Sequence, residues 1–141
     1  GTHAADSAYL FFLMVGRPPR STLFPATTRF RSINAEDRAD NFRPCPGKIG
    51  QFRAPGGFGV RLDTHAYAGY TVPPNYDSMI AKLIVYQETR EEAINCMRRC
   101  LDEFVIEGIS TTIPLAKDIF KHLNFVAGKV NTGFIEEYFL D

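Results

Sequence analysis

The sequence predicts an α+β fold, in which an antiparallel β-sheet carries helices packed on one face. Strand-like alternation and turn residues fill residues 33–86, whereas helix-start signals and helical periodicity fill the chain from there to Leu140. Because the strands come first and the helices follow, we expect the helices to cover a sheet rather than to connect parallel strands.

The composition describes one domain of ordinary size. The 141 residues are 45% hydrophobic, with 16 basic and 16 acidic side chains, and this balance argues against nucleic-acid binding, which needs a basic excess. The sequence has three cysteines, an odd number, and their spacing is not that of a disulfide framework. They therefore predict a reducing compartment. The apolar run at residues 9–15 is far shorter than the ~20 residues of a membrane span and lacks signal-peptide flanks. We therefore expect a cytoplasmic protein without membrane partners.

Residues 1–32 are predicted to be unstructured and residues 33–141 to form the domain. Residues 11–32 contain no acidic residue, follow no sustained period and are interrupted by three prolines. Their sequence, FFLMVGRPPRSTLFPATTRFRS, resembles a peptide that results when sequencing-adapter DNA is translated by mistake, which would make the tail non-native. The alternative is a genuine basic, proline-rich tail. Re-sequencing the source DNA across the codons for Ser32 and Ile33 distinguishes the two.

The first half of the domain contains short strands joined by turns. A polar turn follows INAED, a short strand is expected at residues 48–53, and a glycine-rich loop at residues 54–59 leads into the strand-like GVRLD. A phosphate-binding loop would open a helix, so that several N–H groups converge on the anion. This loop opens a strand, and we favour a turn with positive φ over nucleotide binding.

Residues 64–86, THAYAGYTVPPNYDSMIAKLIVY, form the centre of the sheet. Two β-type runs flank a corner at residues 73–75, and the second run is apolar enough for a strand covered on both faces. Tyr76 and Asp77 place an aromatic ring and a carboxylate where this strand leaves the turn, which makes them a candidate site. Lys82 interrupts the strand, and we expect its ammonium to snorkel to the sheet edge rather than to meet a ligand.

Three helices are predicted after the sheet. Thr89 and Glu92 form a capping box for a helix that runs to about Ile106 and stops at Gly108. Residues 110–112 begin a second helix with Pro114 in its first turn, and residues 133–140 form a short amphipathic one. The predicted buried stripes of the first two helices are Ala93, Ile94, Met97, Leu101, Phe104 and Val105, then Leu115, Ile119, Phe120 and Leu123.

No metal site is favoured by the cysteine and histidine spacing. Cys96 and Cys100 share a helix face, but no second ligand pair accompanies them and His65 is distant in sequence. We therefore favour buried or half-buried thiols over a two-thiol metal site, an inert Cys45 in its proline-flanked loop, and a structural or surface role for His65.

Five sequence blocks together resemble the C-terminal domain of biotin carboxylase. These blocks are INAED, PCPGKI, APGGFGVRLDTHAYAGYTVPPNYDSMIAKLIVY, ETREEAI and EGISTTIPL, in this order. The resemblance covers residues 33–140, and the AGYTVPP block is more similar to stand-alone bacterial-type subunits than to large fused carboxylases. It implies a fragment of a ligase that uses ATP, Mg²⁺ and bicarbonate to carboxylate carrier-bound biotin, forming a C–N bond.

The resemblance also implies a biological setting. The parent would be the homodimeric biotin carboxylase of acetyl-CoA carboxylase in fatty-acid synthesis, with biotin carboxyl carrier protein and carboxyltransferase subunits as partners. Two alternatives stay open: a fragment of a propionyl-CoA- or pyruvate-type carboxylase, and a free-standing, non-catalytic interaction or dimerisation module. The ATP-grasp domain, which supplies the phosphate lysines and metal-binding glutamates, should precede these residues, so we expect no activity from this chain alone.

The resemblance places two active-site positions in this chain. Asp77 matches an active-site carboxylate near biotin, with Tyr76 beside it. The family has an arginine immediately before the Ile-Asn of INAED, which stabilises charge on the biotin ureido oxygen; this position is Ser32 here, so that arginine is lost. Arg31 is adjacent in sequence, but a one-residue offset on a strand points to the opposite face.

The resemblance assigns four further positions. Phe58 and Arg61 match residues that pack and pair across the homodimer. Asn131 and Thr132 fall where the family chain passes the adenine.

Overall fold

A computed structural model describes residues 27–140 of the chain. Its centre is a three-stranded antiparallel sheet in the order β1-β8-β6, formed by strands β1 (Thr27–Asn34), β6 (Val60–Thr64) and β8 (Met79–Gln87). The nearly continuous apolar run that follows Asp77 is thus the central strand, paired on both edges. The antiparallel sheet is confirmed.

Three separate two-stranded ladders accompany this sheet. They pair β2 (Glu36–Asp37) with β3 (Arg43–Pro44), β4 (Gly47–Lys48) with β7 (Thr71–Val72), and β5 (Phe52–Arg53) with β9 (Val105–Ile106). A single 3₁₀ turn, Arg38–Asp40, lies between β2 and β3.

Four helices follow in the described part of the chain: α1 (Arg90–Glu103), α2 (Ile113–Lys121), α3 (Leu123–Val126) and α4 (Phe134–Phe139). The capping box is confirmed, since the Glu92 N–H donates to the Thr89 hydroxyl at 3.2 Å and the Thr89 N–H donates to the Glu92 carboxylate at 3.2 Å. Pro114 lies in the first turn of α2. Within residues 27–140, every helix is too short or too polar to cross a bilayer.

The core lies between the sheet and the helices. Helix α1 packs on β1 and β8, and opposed residues of an antiparallel pair share a face. Ile33 opposite Ala81, and Leu62 opposite Leu83, therefore face the helices. Fully buried core residues from both layers include Ile33, Leu83, Val85, Ala93, Met97, Leu101, Ile119 and Phe120.

Several predicted boundaries are wrong. Helix α1 ends at Glu103 rather than near Ile106, because Phe104 is extended and Val105–Ile106 pairs with β5. The β pattern expected to continue through residues 64–72 breaks into a turn between β6 and β7. Leu123 is 82% exposed, because α2 ends at Lys121 and a new short helix begins at Leu123.

The predicted boundary at Ile33 falls inside a strand. Residues 27–32 belong to β1 and pair with β8 from Thr27 opposite Gln87 to Ser32 opposite Lys82, so the prediction that residues 1–32 have no stable fold is wrong for them. Strand pairing uses backbone N–H and C=O groups, and the threonines and phenylalanine of this stretch favour extended conformations. The adapter-like segment before Thr27 lies outside the described residues.

Candidate functional site

The Asp77 carboxylate lies at the surface, in the turn that leads into β8. Its Oδ1 accepts the Met79 N–H at 3.1 Å, and Tyr76 beside it is 78% exposed. The Ala35 N–H donates to the Ser78 carbonyl at 2.8 Å, which attaches the turn to the end of β1. The corner therefore presents a ring and a carboxylate to solvent, as the sequence pattern predicts.

Glu36 ties this turn to β1, a role that sequence reasoning missed. Its Oε1 accepts hydrogen bonds from Ser78 Oγ at 2.7 Å and from Asn34 Nδ2 at 3.0 Å. Ser78 is the residue after Asp77, so Glu36 restrains the orientation of the candidate carboxylate. The INAED block contains Glu36, but no local pattern shows that it meets a residue 42 positions away.

Ser32 belongs to a row of polar residues on the sheet face turned away from the helices. It lies opposite Lys82, which lies opposite Asp63 on the other edge strand. The Lys82 ammonium is 5.7 Å from the centroid of the Phe30 ring on β1. A half-buried lysine thus reaches an aromatic face on the edge strand, where a cation–π contact stabilises its charge.

A shallow depression of about 360 Å³ adjoins this row. It is lined by Asp63, Thr64, His65, Met79, Ile80, Ala81 and Lys82. His65 is exposed, and its ring stands edge-on to Tyr70 at 5.3 Å between centroids. Ser32 lies opposite Lys82, the fourth residue of β8, whereas Asp77 lies in the turn before that strand. Position 32 and Asp77 are thus separated along the strand direction.

Arg31 occupies the opposite side of β1 from Ser32, as the strand period predicts. It lies opposite Leu83, faces the helices and is only 1% exposed. Within residues 27–140, its Nε, Nη1 and Nη2 atoms have no hydrogen-bond partner. Burial lowers the pKa of Arg31 to about 10, while the charge of Glu36 acts in the other direction. Arg31 cannot replace a cation at position 32, because its guanidinium is enclosed in the core.

The glycine-rich loop presents Phe58 just before β6 begins. Phe58 is 100% exposed, and Gly57 and Gly59 have φ of +114° and +71°, which confirms the predicted positive-φ turn. A Cβ on Gly59 would collide with the Tyr86 carbonyl oxygen. Arg61 Nε donates to Asp63 Oδ1 at 2.9 Å, and this bond raises the pKa of Arg61.

Asn131 and Thr132 lie outside the sheet, before α4. Asn131 Oδ1 accepts the Gly133 N–H at 2.9 Å, which closes the turn that starts the helix. Thr132 is exposed. Next to them, the His122 ring packs against three rings of α4, with centroid distances of 5.1, 4.5 and 5.7 Å to Phe134, Tyr138 and Phe139.

Comparison with known protein families identifies the family of this chain. Residues 30–137 match the family model of the biotin carboxylase C-terminal domain. The chain belongs to this family. The match covers most of the described residues and confirms the resemblance seen in the five sequence blocks.

Biotin carboxylases and related carboxylases are its relatives. The chain is 57% identical over 106 residues to biotin carboxylase 1 of Bacillus subtilis, covering 75% of this chain and 24% of that protein. It is 51% identical to a pyruvate carboxylase subunit of Methanothermobacter thermautotrophicus, covering 75% and 22%. The chain thus spans about a quarter of the length of the biotin carboxylase relatives it matches.

Solved biotin carboxylase structures share the fold. The biotin carboxylase subunit of a pyruvate carboxylase superposes with a TM-score of 0.77 at 45% identity, covering 79% of this chain and 25% of that one. The biotin carboxylase domain dimer of the Hydrogenobacter thermophilus 2-oxoglutarate carboxylase, solved with MgADP, ADP and bicarbonate, gives 0.77 at 42%, covering 79% and 24%. The α+β fold is confirmed.

The cysteines of this biotin carboxylase C-terminal domain are free thiols. Cys100 is buried and Cys45 and Cys96 are half-buried, as predicted. The Ser110 N–H points at Cys45 Sγ, at 3.4 Å. Across residues 27–140, no three His, Cys, Asp or Glu side chains are grouped so that they could hold a metal ion.

Proposed function

We propose that this chain is the C-terminal part of a biotin carboxylase, whose parent uses ATP and bicarbonate to carboxylate biotin on a carrier protein. The match of residues 30–137 to the C-terminal domain of that enzyme carries the proposal. The relative solved with MgADP and bicarbonate supports ATP and Mg²⁺ as cofactors of the parent. The reaction is an ATP-dependent ligation that forms a C–N bond.

In this proposal, Asp77 and Tyr76 lie near biotin in the parent enzyme. Asp77 supplies a surface carboxylate, and the Glu36–Ser78 hydrogen bond keeps its turn in place. Ser32 stands where a fixed cation is needed, and a neutral hydroxyl cannot stabilise negative charge on the ureido oxygen to the same degree. Asn131 and Thr132 would lie near the adenine. The Mg²⁺ ligands would come from the preceding ATP-grasp domain.

We further propose that the segment up to Ser32 is not native to the domain. Its support is Arg31, a charged side chain enclosed in the core without a hydrogen-bond partner in the described structure. Buried charges in proteins are normally paired. A domain shaped around this strand would carry an apolar residue at position 31 and the family arginine at position 32.

The purified 141-residue chain is expected to release no ADP in the presence of ATP, Mg²⁺, bicarbonate and biotin. The proposed phosphate lysines and metal ligands belong to the ATP-grasp domain, and Ser32 lacks the required charge. Coupled-enzyme detection of ADP measures this, with full-length Bacillus subtilis biotin carboxylase 1 as the positive control. Biotin-dependent turnover above the no-enzyme rate would contradict the proposal that the chemistry needs an ATP-grasp domain.

The parent's setting is proposed to be acetyl-CoA carboxylase in the cytoplasm, with a biotin carboxyl carrier protein and carboxyltransferase subunits as partners. The 57% identity to biotin carboxylase 1 of Bacillus subtilis supports this assignment. A pyruvate-type carboxylase is the second candidate, favoured by the 51% identity to a component of a pyruvate carboxylase. Recovery of the upstream reading frame and its neighbouring genes separates the two.

An interaction module is the competing function, and the fully exposed Phe58 favours a retained dimer surface. Exposed aromatic and arginine residues are enriched at interfaces. We expect sedimentation to show self-association, weakened roughly tenfold or more by Arg61→Glu, since loss of a hot-spot arginine costs ~2 kcal/mol or more. Arg43→Glu, also on the surface, is the matched control. A chain that stays monomeric at high concentration would exclude the module.

A further inference from the structure

Two thiols lie side by side on helix α1, away from the Asp77 turn. Cys96 and Cys100 are four residues apart on α1, so their side chains are neighbours on one face of the helix. Both are free. Cys100 belongs to the core, whereas Cys96 is half-buried. The pair thus has one sulfur held in the core and one that solvent-borne reagents can reach.

The surroundings of the pair hold both thiols in place. Arg99 Nη2 lies 4.0 Å from Cys96 Sγ, and Arg99 is itself fixed by the Gly56 carbonyl at 3.3 Å and the Glu103 carboxylate at 3.0 Å. Burial raises the pKa of Cys100 to about 12, and the neighbouring Cys96 adds to this. An isolated thiolate is disfavoured here, but a complex without net charge avoids that penalty.

A disulfide does not suit this pair. Residues four apart on a helix have Cβ atoms about 5–6 Å apart, whereas a disulfide requires about 3.5–4.5 Å. Closing an S–S bond would therefore distort α1. A larger atom bonded to both sulfurs relieves this distance constraint. The sulfurs are then joined by two bonds instead of the one S–S bond of a disulfide, so the Cβ atoms can stay farther apart.

We propose that Cys96 and Cys100 form a two-thiolate site for a soft, thiophilic centre, represented by an organoarsenic(III) group. With phenylarsine oxide, both S–H bonds and the As=O bond break and two As–S bonds form. The two protons leave with the oxygen as one water molecule. Arsenic stays in the trivalent state, so no oxidant or reductant takes part, and the bis-thiolate product is uncharged. Soft thiolate ligands prefer such centres.

The test is native mass spectrometry of the folded 141-residue chain with phenylarsine oxide and excess 2-mercaptoethanol. We expect one phenylarsenic group per chain, with the loss of two thiol hydrogens. A second bond made within one chain acts at high effective concentration. Cys96→Ser should therefore weaken capture roughly tenfold or more in the presence of the competing monothiol.

Cys45→Ser is the matched control and should leave capture unchanged. Cys100→Ser should match Cys96→Ser if it folds, which circular dichroism checks. Because Cys96 is half-buried, its serine variant keeps the test valid even if the Cys100 variant unfolds. Undiminished capture by Cys96→Ser, or loss of capture in Cys45→Ser, would overturn the proposal.

Discussion

Replacing Arg31 by leucine is expected to raise the free energy of unfolding of the 141-residue chain by about 3 kcal/mol. The Arg31 guanidinium is enclosed on the helix-facing side of β1, and its three nitrogens have no hydrogen-bond partner within residues 27–140. The lowered pKa of about 10 corresponds to a penalty of about 3 kcal/mol. Leucine removes the charge and packs opposite Leu83. Urea unfolding followed by circular dichroism measures the change.

The gain from Arg31→Leu should depend on pH. Below pH of about 10, Arg31 is charged in both the folded and the unfolded chain, so the full penalty applies. Above it, the folded chain releases this proton while the unfolded chain keeps it. The unfolded chain then binds more protons, and the stability of the original chain rises with pH. The difference between the two chains should therefore shrink as pH rises from 10 towards 12.

The control is Arg53→Leu, which removes an arginine from an exposed position on β5. Surface substitutions of this kind change stability by about 0.5 kcal/mol or less. An Arg31→Leu chain no more stable than the original, or a gain equal to that of Arg53→Leu, would show that Arg31 is not an uncompensated buried charge.

The largest expected effect on activity is at position 32. In a chimera that joins the preceding part of Bacillus subtilis biotin carboxylase 1 to residues 32–140 of this chain, Ser32→Arg should raise biotin-dependent ADP release about 10²–10³-fold. This is the usual loss when one preorganised group that stabilises developing charge is removed. The physical reason is that a fixed guanidinium keeps its charge and its donors directed at the ureido oxygen, which a hydroxyl cannot do.

The serine chimera and its Ser32→Arg variant share the same junction before position 32. Any loss of activity caused by that junction therefore affects both equally. Ser32→Lys is the informative intermediate, because it restores the charge without the planar set of donors and should recover only part of the rate. If the serine chimera folds and turns over as fast as its Ser32→Arg counterpart, position 32 does not carry the arginine role. Ser32→Gln should stay slow, since it adds length and donors without charge.

Local chemistry in the sequence was sufficient for much of the fold and part of the site. The capping box of Thr89 and Glu92 involves residues three apart, so its sequence pattern specifies its geometry. Asp77 in the corner before β8 is equally local, because its carboxylate bonds a backbone two residues away. The positive-φ glycines of the Phe58 loop follow from turn chemistry.

Contacts between distant segments decided the rest. The end of α1 is set by Phe52–Arg53, whose backbone draws Val105–Ile106 into a ladder, and helical periodicity contains no information about that partner. The Glu36–Ser78 bond likewise joins residues 42 positions apart.

The sequence by itself determined the family and the order of elements, because these depend on residue identity and spacing. The tertiary structure alone decided that residues 27–32 complete the sheet and that Arg31 lies in the core. Backbone pairing accepts almost any side chain, so the strand forms across the predicted junction. The register with β8 then determines which side chain faces the helices and which lies on the other face of the sheet.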